Sequence, residues 1–294
     1  MVALVTGASG FLGGHICKGL RADGWTVVAA GRPELEIPSP AFERRLQETS
    51  PSLVVHCAGP ASVAASVEDP VADFLGSAGV LVALLERLAG IRRKPRLLLL
   101  SSAAVYGDPI RLPVREGDET RPISPYGFHR LACELLLGEF ERVYGVPSAA
   151  LRVFSAYGEG LRRQILWDIC EKAIGDGEVV LSGTGDESRD FVHASDVAQA
   201  VAVAARHARF ETEILNVASG VETTIADLAE LLVSELGSNV PVRFLGDARP
   251  GDPSNWRADI SAARTLGFRP AVTIAEGTRR YAAWSAGVLA GAHV

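Results

Sequence analysis

The sequence predicts an α/β fold: a parallel sheet covered by helices on both faces, followed by a smaller C-terminal α/β region. Three observations carry this. Apolar runs of strand length alternate with helical patterns along the first half of the chain. A glycine-rich turn joins the first such run to the first helix. Near residue 155 the rhythm changes: glycine and charged residues become frequent and the elements shorten. The 294 residues, 48% hydrophobic and 22% charged, can bury a large core, and composition excludes disordered and collagen-like chains.

In order, Val2–Thr6 is a buried strand stopped by Gly7, and Phe11–Ala22 carries apolar residues at helical spacing up to a stop at Asp23-Gly24. Trp25–Ala30, Leu53–His56, Arg96–Ser101 and Ala149–Val153 are further strands, with helices expected at Phe42–Glu48, Val71–Ala89 and Tyr126–Tyr144. The second half holds expected helices at Leu161–Ala173, Ala194–Ala205, Ile225–Leu236 and Thr273–Ala286, and short strands at Val179–Leu181, Ile214–Val217 and Val242–Phe244. The expected division is 1–155 for a dinucleotide-binding domain and 156–294 for a mostly substrate-binding region, some of whose segments return to the first sheet.

The turn Thr6-Gly7-Ala8-Ser9-Gly10-Phe11-Leu12-Gly13 is where function enters. Gly7 permits the tight turn, Gly10 lets the backbone approach a pyrophosphate seated on the helix N-terminus, and Gly13 lets the helix pack closely. Three glycines alone are a weak signal; between a strand and a helix they point to dinucleotide binding on a Rossmann-type, doubly wound sheet. The second strand ends in Gly31-Arg32, where an NAD site offers an acidic residue to the ribose. Gly31 leaves room for a 2′-phosphate and Arg32 can pair with it, which favours NADP(H) over NAD(H); a solvated Arg32 stacked on adenine would leave the choice open.

Other classes are set aside. With 29 Lys+Arg against 35 Asp+Glu the net charge is −6, which gives no reason to expect nucleic acid, and the short clusters Arg92-Arg93-Lys94 and Arg162-Arg163 read as solvated helix ends. No apolar run approaches the length of a membrane span, and MVALVTG lacks the basic start of a signal peptide. Cys17, Cys57, Cys133 and Cys170 are widely spaced, so neither a disulfide framework nor a metal site is expected, and buried thiols in a reducing cytoplasm are the simplest reading.

Beyond the glycine turn, Ser101-Ser102-Ala103-Ala104-Val105-Tyr106-Gly107 follows a strand and Ser124-Pro125-Tyr126-Gly127 opens a helix. With Arg152–Gly158, Ser188–His193, Asn216–Gly220, Arg249–Asp252 and Leu266–Pro270, they resemble, in order and over nearly the whole chain, the extended short-chain dehydrogenase/reductase family. More narrowly they are similar to its sugar-nucleotide epimerases, dehydratases and reductases. The resemblance implies that Tyr126 exchanges a proton with a sugar oxygen. A free phenol has a pKa of about 10, and lowering it by about three units requires about 4 kcal/mol. In the family a lysine four residues on, on the same helical face, supplies this; here that position is Arg130, which keeps the charge but not the compact ammonium. Ser102 matches the family's hydroxyl that steadies the reacting oxygen, with Ser101 as a strand-end neighbour. Ala103 and Ala104 lack acid–base capacity where dehydratases carry an acid, so dehydration is rejected.

The resemblance extends the cofactor set from Gly7, Gly10, Phe11, Leu12, Gly13 and Arg32 to Glu36, Ala58, Gly59 and Phe154. It implies substrate contacts for Ser155, where relatives carry Asn, and for Arg189 and Arg249, whose forks suit a diphosphate. His56 is read as a packed histidine and His193 as a helix cap. The family's helices matching Val71–Ala89 and Tyr126–Tyr144 form a four-helix bundle, which implies a homodimer. Three functions compete: NADPH-dependent reduction of a nucleotide-linked 4-keto-6-deoxysugar, favoured by Gly31-Arg32; NAD-dependent 4-epimerisation of a sugar nucleotide; and non-catalytic dinucleotide sensing, motivated by Arg130.

Overall fold

The computed structural model describes residues 1–32, 36–247, 251 and 253–291. The first half alternates β1 (Val2–Thr6), α1 (Phe11–Ala22), β2 (Thr26–Ala30), α2 (Pro40–Thr49) and β3 (Leu53–His56). A segmented helical run follows: α3 (Val63–Glu68), α4 (Pro70–Phe74), a π turn (Leu75–Gly79) and α5 (Val80–Ala89). Then come β4 (Arg96–Ser102), α6 (Pro125–Tyr144) and β5 (Ser148–Val153). The second half contains β6 (Ser155–Tyr157), α7 (Gln164–Gly175), β7 (Val179–Leu181), β8 (Ser188–His193), α8 (Ala194–His207) and β9 (Glu211–Val217). It ends with β10 (Glu222–Thr224), α9 (Ile225–Glu235), β11 (Val242–Phe244), α10 (Ser261–Thr265) and α11 (Ile274–Gly291).

Six strands form one parallel sheet in the order β2-β1-β3-β4-β5-β9. Both faces are covered, so its strands are apolar on both sides rather than alternating. Ala3, Val5, Leu98 and Leu100 pack on one face with Ile16 and Leu20 of α1 and Val197 and Val201 of α8. Leu4, Leu97 and Leu99 pack on the other with Phe42, Leu81, Leu84, Leu85 and Leu137. The chain leaves β1 for β2 on one side and returns to β3 on the other. The β1/β3 boundary is therefore the switch point, where open α/β sheets bind ligands at the strands' carboxyl ends.

The second half adds a β10-β8-β6 sheet and a β11-β7 pair over a third core containing Tyr157, Ile169, Leu228, Leu232 and Tyr281, while β9 joins the large sheet beside β5. The continuous helix expected over Val71–Ala89 is divided. Asp69 accepts a hydrogen bond from Ala72 N (2.9 Å) and Pro70 starts α4, so the capping residue ends one helix and opens the next. In the π turn, a Cβ on Gly76 would lie 3.1 Å from Pro60 Cδ, a close approach that glycine permits. Strand β8 was not expected because Ser188-Arg189-Asp190 reads as a loop. Asp190 is buried there, accepting from Ser219 N (2.8 Å), Gly220 N (3.0 Å) and Ala258 N (3.0 Å).

Candidate active site

The glycine turn lies at the switch point. Gly7 has φ +65°, and a Cβ there would sit 2.7 Å from Ala58 N, so only glycine lets the two turns touch. A Cβ on Gly13 would run into the Gly7 carbonyl oxygen, which sets how closely α1 approaches the turn. Gly10 N donates to Gly7 O (3.0 Å) and caps α1 without a side chain, and the first turn of α1 contains no acidic residue. The positive helix end is thus left open to an anion. Behind it, His56 Nδ1 lies 2.8 Å from Thr6 Oγ1, which also accepts from Ala58 N (3.4 Å). Burial, aided by the Arg130 charge, pushes His56 down to about 3, so it is a neutral packed group as expected.

The two serines at the end of β4 separate cleanly. Ser101 is buried and donates to Glu134 Oε1 (2.5 Å), which ties it into the framework. Ser102 is half-buried, and its Oγ accepts from Ala104 N (3.2 Å), leaving its proton available to an outside acceptor. Helix α6 starts on Ser124, which accepts from Gly127 N (3.2 Å), with Pro125 in the first turn. A Cβ on Gly127 would lie 2.5 Å from Ala104 O; glycine therefore brings this turn, and Tyr126 with it, against the 3₁₀ turn that follows Ser102. Ser66 fixes the turn by accepting from Tyr126 N (3.0 Å).

The Arg130 guanidinium carbon lies 5.1 Å from the centre of the Tyr126 ring. The side chain is buried, donating through Nη2 to Pro60 O (2.5 Å) and through Nη1 to Leu100 O (3.4 Å), while Nε has no partner. A Cβ on Gly59 would be 3.3 Å from Arg130 Nη2, so the β3 turn closes over the guanidinium. Burial opposes its charge, and Tyr126, Cys133 and Asp73 more than offset that, raising its pKa. The fold thus gathers the glycine turn, Ala58, Gly59, Ser102, Tyr126 and Arg130 at one edge of the sheet.

Other expected residues lie differently. Arg32 is exposed and faces Glu36 at 3.8 Å. The space beside Gly31 is filled by Ser9, whose Oγ a Cβ would meet at 2.9 Å. Phe154 is a core side chain against Tyr106 and Trp256, so only its backbone is left to face a cofactor. Ser155 starts β6. Arg189 in β8 donates to Ser188 O (2.8 Å) and lies 5.6 Å from the Trp256 ring. Arg249 falls outside the described residues. His193 caps α8, as expected, by accepting from Ser195 N (3.2 Å).

Two residues of this neighbourhood were not anticipated. His129 Nδ1 lies 2.6 Å from Asp73 Oδ2, on the α4 side of Arg130. The 56 positions between them hide the pairing; the visible signal is a histidine three residues after Tyr126, on the same side of the helix.

Comparison with known proteins places the whole chain. The profile of the NAD dependent epimerase/dehydratase family matches residues 3–218. The UDP-glucose 4-epimerase of Mycolicibacterium smegmatis is 30% identical, over 94% of this chain and 96% of that protein. The Azospirillum brasilense UDP-glucose 4-epimerase is 28% identical, over 91% and 86%. The crystal structure of the Thermus thermophilus UDP-glucose 4-epimerase complex with NAD superposes with a TM-score of 0.86 at 28% identity, covering 98% of this chain and 99% of that one. That of the Thermotoga maritima enzyme with UDP-glucose does so at 0.87 and 27%, covering 98% and 100%. The chain therefore belongs to the NAD-dependent epimerase/dehydratase family and is an enzyme of the extended short-chain dehydrogenase/reductase type.

Proposed function

We propose that the protein is a 4-epimerase of a UDP-hexose that keeps NAD bound through turnover. What carries the reading is the convergence of Tyr126, Arg130 and Ser102 beside a glycine cradle at the switch point, in a chain whose full-length relatives are UDP-glucose 4-epimerases. The cradle fits NAD: Gly7 and Gly13, where a Cβ would clash with the backbone of the neighbouring turns, let those turns close up, and α1 presents free N–H groups at its start. Bound there, NAD would supply a hydride acceptor for the C4 hydrogen and a hydride donor to the opposite face of the same carbon.

The residues of the chain do the rest. The N–H groups at the start of α1 hold the pyrophosphate, and the Arg130 guanidinium supplies positive charge beside Tyr126. Tyr126 takes the proton of the sugar hydroxyl as the carbonyl forms and returns it to the same oxygen once the carbon has been re-reduced, and Ser102 donates a hydrogen bond to that oxygen. Arg189, with Arg249, is our candidate for the diphosphate. Residues 1–155 with α8 and β9 form the cofactor side, and the remainder chiefly the substrate side. The exposed apolar residues Val71, Phe74 and Leu75, with Phe128 and Leu135 of α6, suit a homodimer. Free, mainly buried cysteines suit the cytoplasm, and among the described residues no helix is long and apolar enough to cross a membrane.

Reduction of a 4-keto-6-deoxysugar by NADPH, which Gly31-Arg32 favoured, has less support. The solved relatives hold NAD, and Glu36 beside Arg32 would repel a 2′-phosphate. The nucleotide released from the purified protein on denaturation tests the choice. We expect about one NAD per chain and interconversion of UDP-glucose with its C4 epimer without net NADH. Empty protein that oxidises NADPH with a 4-keto sugar nucleotide would establish the reductase; binding without turnover would establish the sensor.

A further inference from the structure

Three elements packed on one another, α4, the π turn and α6, each carry a buried polar atom without a partner: Asp73 Oδ1, Ser77 Oγ and Arg130 Nε. Two of them are complementary, a guanidinium N–H and a carboxylate oxygen, and each is costly to bury alone. Asp73 is 4% exposed and Arg130 7%. The other carboxylate oxygen is taken by His129, whose Nδ1 must donate, since it faces a group with only acceptors. Phe74 packs edge-on against the same imidazole at 5.3 Å and holds it there.

We propose that Asp73, held by His129, is the positioning counter-ion of Arg130 and sets how strongly the guanidinium acts on Tyr126. This rests on the reading of Tyr126 as the proton-transfer group and Arg130 as its electrostatic partner. The titratable groups facing Arg130 are Tyr126 and Cys133 on α6, His56 and Cys57 at the end of β3, and Asp73 from α4. Burial holds His56 down at about 3, so it is neutral, and lifts the Cys57 and Cys133 thiols well above neutrality. Asp73 is the carboxylate in this set. Its negative charge offsets part of the Arg130 field, so a permanently charged guanidinium is moderated by a neighbour. The hydrogen bond from His129 to Oδ2 draws on the carboxylate's charge and so weakens its effect on Arg130.

The two members therefore act in opposite directions on one observable. The readout is the acid limb of the pH–rate profile of the NAD-loaded protein with UDP-glucose. Asp73→Asn removes the offsetting charge and should move that limb down by about half a unit to one unit. His129→Leu removes the donor that restrains Asp73 and should move it up. Loss of packing alone would lower rate or stability without opposed shifts. Independently of catalysis, denaturant unfolding of Asp73→Asn, Arg130→Met and the double variant should show a coupling of about tenfold or more in the unfolding equilibrium. An unmoved limb in both single variants, shifts of the same sign, or the absence of coupling overturns this proposal and leaves the Tyr126 reading standing, provided Tyr126→Phe is inactive. An active Tyr126→Phe enzyme overturns both.

Discussion

Two buried arginines, one on α6 and one on β5 packed against it, are treated in opposite ways. Arg152 on β5 bonds the protein through all three nitrogens: Nε and Nη2 grip Glu134 (3.1 and 2.7 Å), and Nη1 reaches the Tyr106 hydroxyl (2.8 Å) and Glu116 O (3.0 Å). The network closes outward, with Ser101 donating to Glu134 and Tyr106 to Asn216 Oδ1 (2.7 Å). Arg130 has two carbonyls, an aromatic ring and an unpaired Nε. A saturated buried ion is architecture: it knits β4, β5, β9 and α6 behind the site and leaves nothing for a ligand. An unsaturated one is stable only if something else completes it, so the incomplete arginine, not the well-bonded one, marks the chemistry.

The sharpest way to break this contrast is at the tyrosines the two arginines touch. Tyr126→Phe should lower turnover by about 10² to 10⁴-fold while NAD still copurifies, because only the proton-transfer group is lost. Tyr106→Phe should leave the rate of the folded protein nearly intact and cost stability instead, by about 1–3 kcal/mol, since Asn216 and Arg152 each lose a partner. Turnover assays beside urea unfolding separate the two; equal losses of activity would erase the distinction between the sites.

The next effect falls on stability. Glu134→Gln leaves Arg152 charged, buried and half-paired, and should cost about 3–5 kcal/mol. Arg130→Met frees two carbonyls and leaves the buried Asp73 carboxylate without its counter-ion, and should cost about 1–3 kcal/mol, less than the Glu134 change. Its larger signature is functional: weaker NAD retention and a Tyr126 limb moved to higher pH. Arg130→Lys keeps the charge and should preserve activity. If Arg130→Met is as destabilising as Glu134→Gln, Arg130 is a second framework ion and the site lies elsewhere.

The saturated half of this comparison was much less legible in the sequence than the unsaturated half. Tyr126 and Arg130 are four apart on one helix, and the glycine turn is contiguous, so local spacing reveals them. The runs Leu53–His56 and Arg96–Ser101 have apolar centres, Leu53–Val55 and Leu97–Leu100, and read directly as buried parallel strands. Glu134, Arg152, Tyr106 and Asn216 come from four elements, and no period links them. The same holds for Asp73 with His129. Strand β8 escaped because Asp190 looks exposed until its donors from residues 219, 220 and 258 are in place. Arg32 pointed to NADP(H) because sequence shows its type but not that Glu36 faces it and Ser9 fills the space beside Gly31, which leave that preference without support.

The smallest expected effect concerns acid stability, where the two halves of the molecule oppose each other. His56, under the site, is held down at about 3 by burial, whereas an unfolded histidine titrates at about 6.5. Below about 6.5 the unfolded chain binds a proton that the native one refuses, so this group's stabilisation is lost as pH falls, by about 1.4 kcal/mol per unit. Asp190, in the second half, is pushed up by burial to about 6, against donors that favour its anion, from about 3.9 in the unfolded chain. Between about 4 and 6 it is the native state that holds the extra proton, so its contribution grows as pH falls, by the same amount per unit, and is lost as pH rises through about 6. The slopes cancel in that window, and for these two groups the unfolding free energy should stay flat there. Breaking the balance makes each half visible. His56→Asn should leave a protein whose stability rises as pH drops from 6 to 4 relative to wild type, and Asp190→Asn one whose stability falls more steeply. Urea midpoints at pH 4, 5 and 6 measure both. Parallel pH curves for the wild type and the His56→Asn protein would show that His56 is protonated in the native state, and the neutral wall assigned to it behind Arg130 would be wrong.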